Sequence, residues 1–222
     1  MEIKSSLDLI QSYYRFLYLG LFLEDIIKEN DLSEFAKDLK IQTGKNTSFT
    51  LKEQTIKKLL KEIYQNQEKQ NIFGYFTQIS MFRGITATVK ELLETNNEFK
   101  KFLQENLKGQ YFHFEQTVSF IRNILSHNTH FNMYLKQQDY KSQKIYLLER
   151  GKHQIHLNFN YHKLFPKYRT GSKSYGYSIK INFKKLNPGD NFFDIVSIHQ
   201  LFLLSESCYN MIEIYKSSSK AG

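Results

Sequence analysis

Through the first 135 residues apolar side chains recur at three- and four-residue intervals, and beyond them the period shifts toward two. That switch constrains the fold more than anything else in the chain, because one period buries a helix face and the other a strand face. Only two prolines interrupt the whole sequence, so long helices are permitted. The first reads from Ser5-Ser6-Leu7-Asp8, taken as a capping box, to about Asn30, with Leu7, Ile10, Tyr14, Leu17, Leu21 and Ile26 near one face. Asp31 or Ser33 would cap a short helix ended by Gly44, and Thr50-Leu51-Lys52-Glu53 would box the start of another reaching about Asn66. Helices over 75–94, 97–107 and 111–135 follow.

The next segment reads differently. Residues 144–159 and 175–186 alternate in the strand manner, with Ile155, Leu157 and Phe159 and then Ile179, Ile181 and Phe183 on one side. Asn187-Pro188-Gly189-Asp190 supplies a turn, and a last helix spans about 192–215. The expected fold is mainly α: a helical bundle with a small antiparallel β insertion at about 140–186, before the last helix. Residues 1–216 read as one domain and 217–222 as a flexible tail.

Composition narrows the function classes. A single cysteine, Cys208, excludes a disulfide framework and a cysteine-based zinc module. Lys and Arg number 31 against 22 acidic residues, a formal charge of +9 that suits a polyanionic partner. The most apolar early stretch, Phe16 to Leu23, is far shorter than the roughly 20 residues a membrane span needs. With no secretory signal pattern either, a cytoplasmic protein without a membrane partner is expected. Phosphate-binding glycine loops, a dinucleotide fingerprint, Gly-x-Ser-x-Gly and His-Glu-x-x-His are all missing from the sequence.

The segment around position 120 carries the chemistry. Phe114, Val118, Ile121 and Leu125 mark its buried face, while Asn123, His127 and His130 fall at i, i+4 and i+7 on another, beside Ser119, Arg122 and Ser126. Histidine can take or give a proton near neutral pH, and arginine can clamp phosphate oxygens while staying charged. Asn123 could hold a phosphate or fix the tautomer of His127, and Glu24 or Asp25 could orient that ring. Ser126 and His130 are candidate substrate contacts. A basic loop with interleaved aromatics, containing Lys163, Lys167, Arg169 and Lys173, could grip a single strand by phosphate contact and stacking, or simply be a solvated hairpin tip.

Arg122-Asn123-Ile124-Leu125-Ser126-His127 matches an Arg-x4-His signature and resembles the HEPN family of RNases and nucleotide-binding domains. The resemblance covers about 114–130. It implies a helical bundle that forms a homodimer, so that two copies of the motif face each other. It further implies metal-independent cleavage of single-stranded RNA, with Arg122, Asn123 and His127 catalytic and no cofactor. A setting in toxin–antitoxin or antiviral-defence systems follows, with an antitoxin or a defence complex as partner. The family branch regulated by nucleotidyltransferases carries Tyr two residues after the His; Thr129 stands there in this chain. The alternative is a non-catalytic RNA- or nucleotide-binding scaffold of the same family.

Overall fold

A computed structural model describes residues 2–30, 32–65, 72–128, 133–165 and 176–218. The chain is mainly helical, with two small antiparallel two-stranded sheets. Its contacts divide it into two compact units: residues 1–13 with 81–222, and residues 14–80.

Helix α1 (Ile3–Glu29) contributes its first turns to the larger unit, where Leu7 and Ile10 are fully buried. The helix starts two residues before the expected capping box, so Ser6 lies inside it, and its hydroxyl donates back to the Glu2 carbonyl. The smaller unit holds the rest of α1, a 3-10 turn (Leu32–Phe35), strands β1 (Leu39–Gly44) and β2 (Thr47–Leu51), helix α2 (Glu53–Gln65) and the start of α3 (Ile72–Thr95). Gly44 therefore does not end a helix; it pairs with Thr47 at the turn of a hairpin. The hairpin buries almost nothing, so its strands follow local propensity at Ile41, Thr43, Thr47 and Phe49 rather than a core face. Thr50 and Leu51 belong to β2, and the cap of α2 comes from Asp38. Its Oδ1 accepts the Glu53 N–H at 2.8 Å and its Oδ2 the Lys52 ammonium at 3.0 Å. Those bonds, the Glu53 amide first, hold the Asp38 carboxyl below the usual carboxylate range.

In the larger unit α3 leads to α4 (Asn97–Leu107), whose N-cap Asn96 accepts the Phe99 amide at 2.9 Å. A 3-10 turn (Lys108–Gln110) turns the chain into α5 (Tyr111–His127). The buried face of α5 is wider than an ordinary amphipathic stripe: Phe114, Thr117, Val118, Phe120, Ile121, Ile124 and Leu125 are all shut off from solvent. It is a central helix. Phe120 meets Phe183 edge-to-face at 5.5 Å and Phe192 at 6.5 Å, tying α5 to two later parts of the chain.

The expected strand over 144–159 proves shorter and later. Residues Gln137–Leu148 form helix α6, which ends where Gly151 takes φ +66 and the Lys152 amide donates to the Leu147 carbonyl. Only Gln154–Asn160 (β3) and Gly176–Asn182 (β4) pair as strands, with a short helix α7 (Tyr161–Leu164) after β3. The insertion is thus a hairpin behind a helix, and the alternation of Ile155, Leu157 and Phe159 against Tyr177, Ile179 and Ile181 does bury one face. Turn 187–190 forms as expected, with Gly189 at φ +93, where a side chain would be strained. The last helix comes in two pieces, α8 (Phe192–Ile195) and α9 (Ile198–Ser218). Cys208 is buried in α9, and burial raises its thiol far above the ordinary range, so it is a small core hydrophobe. Among the described residues no helix is long and apolar enough to cross a membrane.

Side chains from neighbouring helices cover the outer edge of β3. The Asn158 amide donates to Gln110 Oε1 at 2.8 Å and the His156 amide to His113 Nδ1 at 3.2 Å. Burial, and then the charges of Lys152 and His156, push the His113 imidazole below the usual histidine range. The unfolded chain accepts that proton near about pH 6.5 while the folded one resists it. Stability is therefore complete above that pH and falls as acid is added. Urea melts of the wild type should lose stability between about pH 7 and 5, and His113→Gln should flatten that loss. Equal pH slopes for both proteins would contradict the assignment.

Candidate functional site

The C-terminal turn of α5 is where the polar stripe surfaces. Arg122, Ser126 and His127 are exposed and Asn123 is half-buried, although Ile121, Ile124 and Leu125 between them have no exposure. The helical spacing thus delivers the expected result at Arg122, Asn123, Ser126 and His127: one helix buries its apolar side and presents these groups outward.

His127 does not stand alone. Its Nδ1 lies 3.1 Å from Oδ1 of Asp139, whose side chain is 0% exposed while the imidazole is 42% exposed. The other carboxylate oxygen, Oδ2, accepts the Lys136 amide at 2.8 Å and Nδ2 of Asn128 at 3.2 Å. Asp139 sits in the first turn of α6, so the same carboxylate that starts α6 anchors the ring at the end of α5. Asn128 closes α5: its own amide and its side chain both donate to the Ile124 carbonyl at 3.0 Å, and it is 1% exposed. The result is a buried polar knot with an imidazole as its outer member.

Arg83, from α3, fastens the same turn. Its Nε donates to the Leu125 carbonyl at 2.5 Å and its Nη2 to the Asn128 carbonyl at 3.0 Å. These are carbonyls of the last turn, which has no helical partners to offer them. Lys136 reaches the His127 carbonyl at 3.3 Å with its ammonium. Arg83 and Lys136 thus bring positive charge to the carbonyls of a helix C-terminus, an end that itself favours cations.

One expectation for orienting His127 is corrected. Asn123 does not fix the ring: its Oδ1 accepts Nη1 of Arg122 at 3.3 Å. Asn and Arg are neighbours in sequence, and the guanidinium reaches the amide more readily than the imidazole held at Asp139 does. Glu24 lies in the smaller unit, where its carboxylate accepts the backbone N–H of Gly74. Asp25 is exposed on α1 in that same unit.

Of the remaining predicted contacts, Lys163 is exposed in α7, where its amide donates to Asn160 Oδ1 at 3.0 Å. His130, Lys167, Arg169 and Lys173 lie outside the described residues. Asp139, Asn128 and Arg83 escaped sequence reasoning. Asp139 was hidden because α6 went unrecognised, yet an acidic residue three positions into a helix was a legible signal. Among the described residues no group of three or more His, Cys, Asp or Glu gathers as metal ligands would.

No protein-family model matches the chain, and no curated protein or solved structure matches it.

Proposed function

We propose that this chain is a metal-independent endoribonuclease of the HEPN type, cutting single-stranded RNA and acting as a toxin or antiviral-defence effector. The observation that carries the reading is a half-exposed imidazole backed by a fully buried carboxylate, on the same helix end as an exposed guanidinium. An imidazole can take or give a proton near neutral pH, and a guanidinium can bind phosphate oxygens, which together suit cleavage at a phosphodiester. A base removes the 2′-hydroxyl proton, O2′ attacks phosphorus, and the P–O5′ bond breaks as O5′ receives a proton. In this reading the Arg122 guanidinium offsets the negative charge that grows on the phosphoryl oxygens. The formal charge of +9 draws a polyanion to the surface.

In this reading two copies form the composite site, and the His127 of a second copy supplies the proton that O5′ takes up. Exposed Phe16, Leu19 and Phe22 along α1 give the smaller unit an apolar face of the kind that self-association covers. The purified protein should cut a single-stranded RNA in excess EDTA, leaving 2′,3′-cyclic phosphate on one product and a 5′-hydroxyl on the other, as read by mass spectrometry. Salt-dependent RNA binding without cleavage would instead establish the non-catalytic, scaffold form of the reading.

A further inference from the structure

We infer that Asp139 is the positioning residue that makes His127 a base through Nε2, an assignment that rests on the nuclease reading for its consequence but not for its geometry. An ionised carboxylate accepts hydrogen bonds and donates none. Oδ2 takes the Lys136 and Asn128 N–H groups, and Oδ1 faces Nδ1 of His127 at 3.1 Å. The proton of the neutral ring therefore sits on Nδ1, and the lone pair sits on Nε2. Because Asp139 is buried and the ring is 42% exposed, the accessible side of the imidazole is the one away from the carboxylate. A substrate hydroxyl thus meets a lone pair rather than an N–H. The proton leaves O2′ for Nε2 as the O2′–P bond forms, and Asp139 then stabilises the resulting imidazolium without taking a proton itself. Asn128 and the Lys136 amide keep the carboxylate from rotating, so they hold the tautomer at one remove.

The substitution Asp139→Asn exposes this logic. Lys136 N–H and Asn128 Nδ2 are both donors, so the new amide must turn its oxygen toward them. That turns its NH2 group toward His127, and Nδ1 must now accept. The ring proton moves to Nε2 and the base is lost, although the side chain keeps its shape.

Nitrogen-15 NMR of the imidazole, at a pH where the ring is neutral, reads the tautomer directly and needs no RNA. Wild type should show the proton on Nδ1 and Asp139→Asn should show it on Nε2. In the cleavage assay kcat should fall by about 10²–10⁴-fold with KM for RNA unchanged. A wild-type ring protonated on Nε2 would overturn the inference even if RNA is cut and even if the variant fails to fold. An unchanged kcat in a folded Asp139→Asn would overturn it too. The expected tautomers in a protein that cuts no RNA would uphold the positioning and refute the nuclease reading instead.

Discussion

Arg122→Ala and His127→Ala should each slow RNA cleavage by about 10²–10⁴-fold, for different reasons. In the proposed reaction, removing His127 takes away the group that moves the proton. Removing Arg122 would leave that proton transfer possible but take the proposed positive charge away from the phosphoryl oxygens. The two also differ in stability. Arg122 is exposed and donates to Asn123 on its own helix, so its truncation should leave the melting temperature unchanged. His127→Ala removes one donor from the buried Asp139, a cost of about 1 kcal/mol. Initial rates on a labelled single-stranded RNA, with circular dichroism melts of the same preparations, separate the two effects. Wild-type rates in both variants would remove the catalytic assignment.

The largest loss of stability is expected at Phe120→Ala. The ring is fully buried and packs against Phe183, just after β4, and Phe192, in α8, so it joins α5 to both. Its truncation leaves a cavity beside two other aromatic rings, which puts the cost at about 3–5 kcal/mol. For a domain of this size the melting temperature should drop by about 10 °C. Phe35→Ala makes the matched control, because Phe35 is 80% exposed and its loss should cost little. A Phe120→Ala protein that melts with the wild type would mean that α5 is not fastened there.

What could be read from the sequence divides along a physical line. Helices with a strong apolar period were legible: residues 75–94 and 97–107 lie within the observed helices, while the helix read over 111–135 ends at His127, where Asn128 turns extended. So was the buried face of Phe114, Val118, Ile121 and Leu125, because four positions at helical spacing leave little choice. The hairpin at 39–51 was missed since its strands bury no face, and Gly44 signals a helix end as well as a turn. Helix α6 was missed because its buried positions are Asp139, Tyr140, Gln143 and Leu147, of which only Leu147 is purely apolar. Gln143 earns its burial by donating to the Gln116 carbonyl at 2.7 Å, a long-range bond no local pattern announces. At the site, Arg122 and His127 were visible because they lie on one helix. Asp139 and Arg83 were not, since they reach His127 and its carbonyl neighbours from two other helices.

In the proposed function His127 and Arg122 cleave RNA by directing its own 2′-hydroxyl at the adjacent phosphorus. The most direct measurement uses a DNA oligonucleotide carrying a single ribonucleotide, incubated with the protein in EDTA. One cut is expected, on the 3′ side of that ribonucleotide, ending in a 2′,3′-cyclic phosphate, and none with His127→Ala. Cutting at deoxynucleotide positions, or an intact oligonucleotide when all-RNA is cut through a 3′-hydroxyl product, would contradict it.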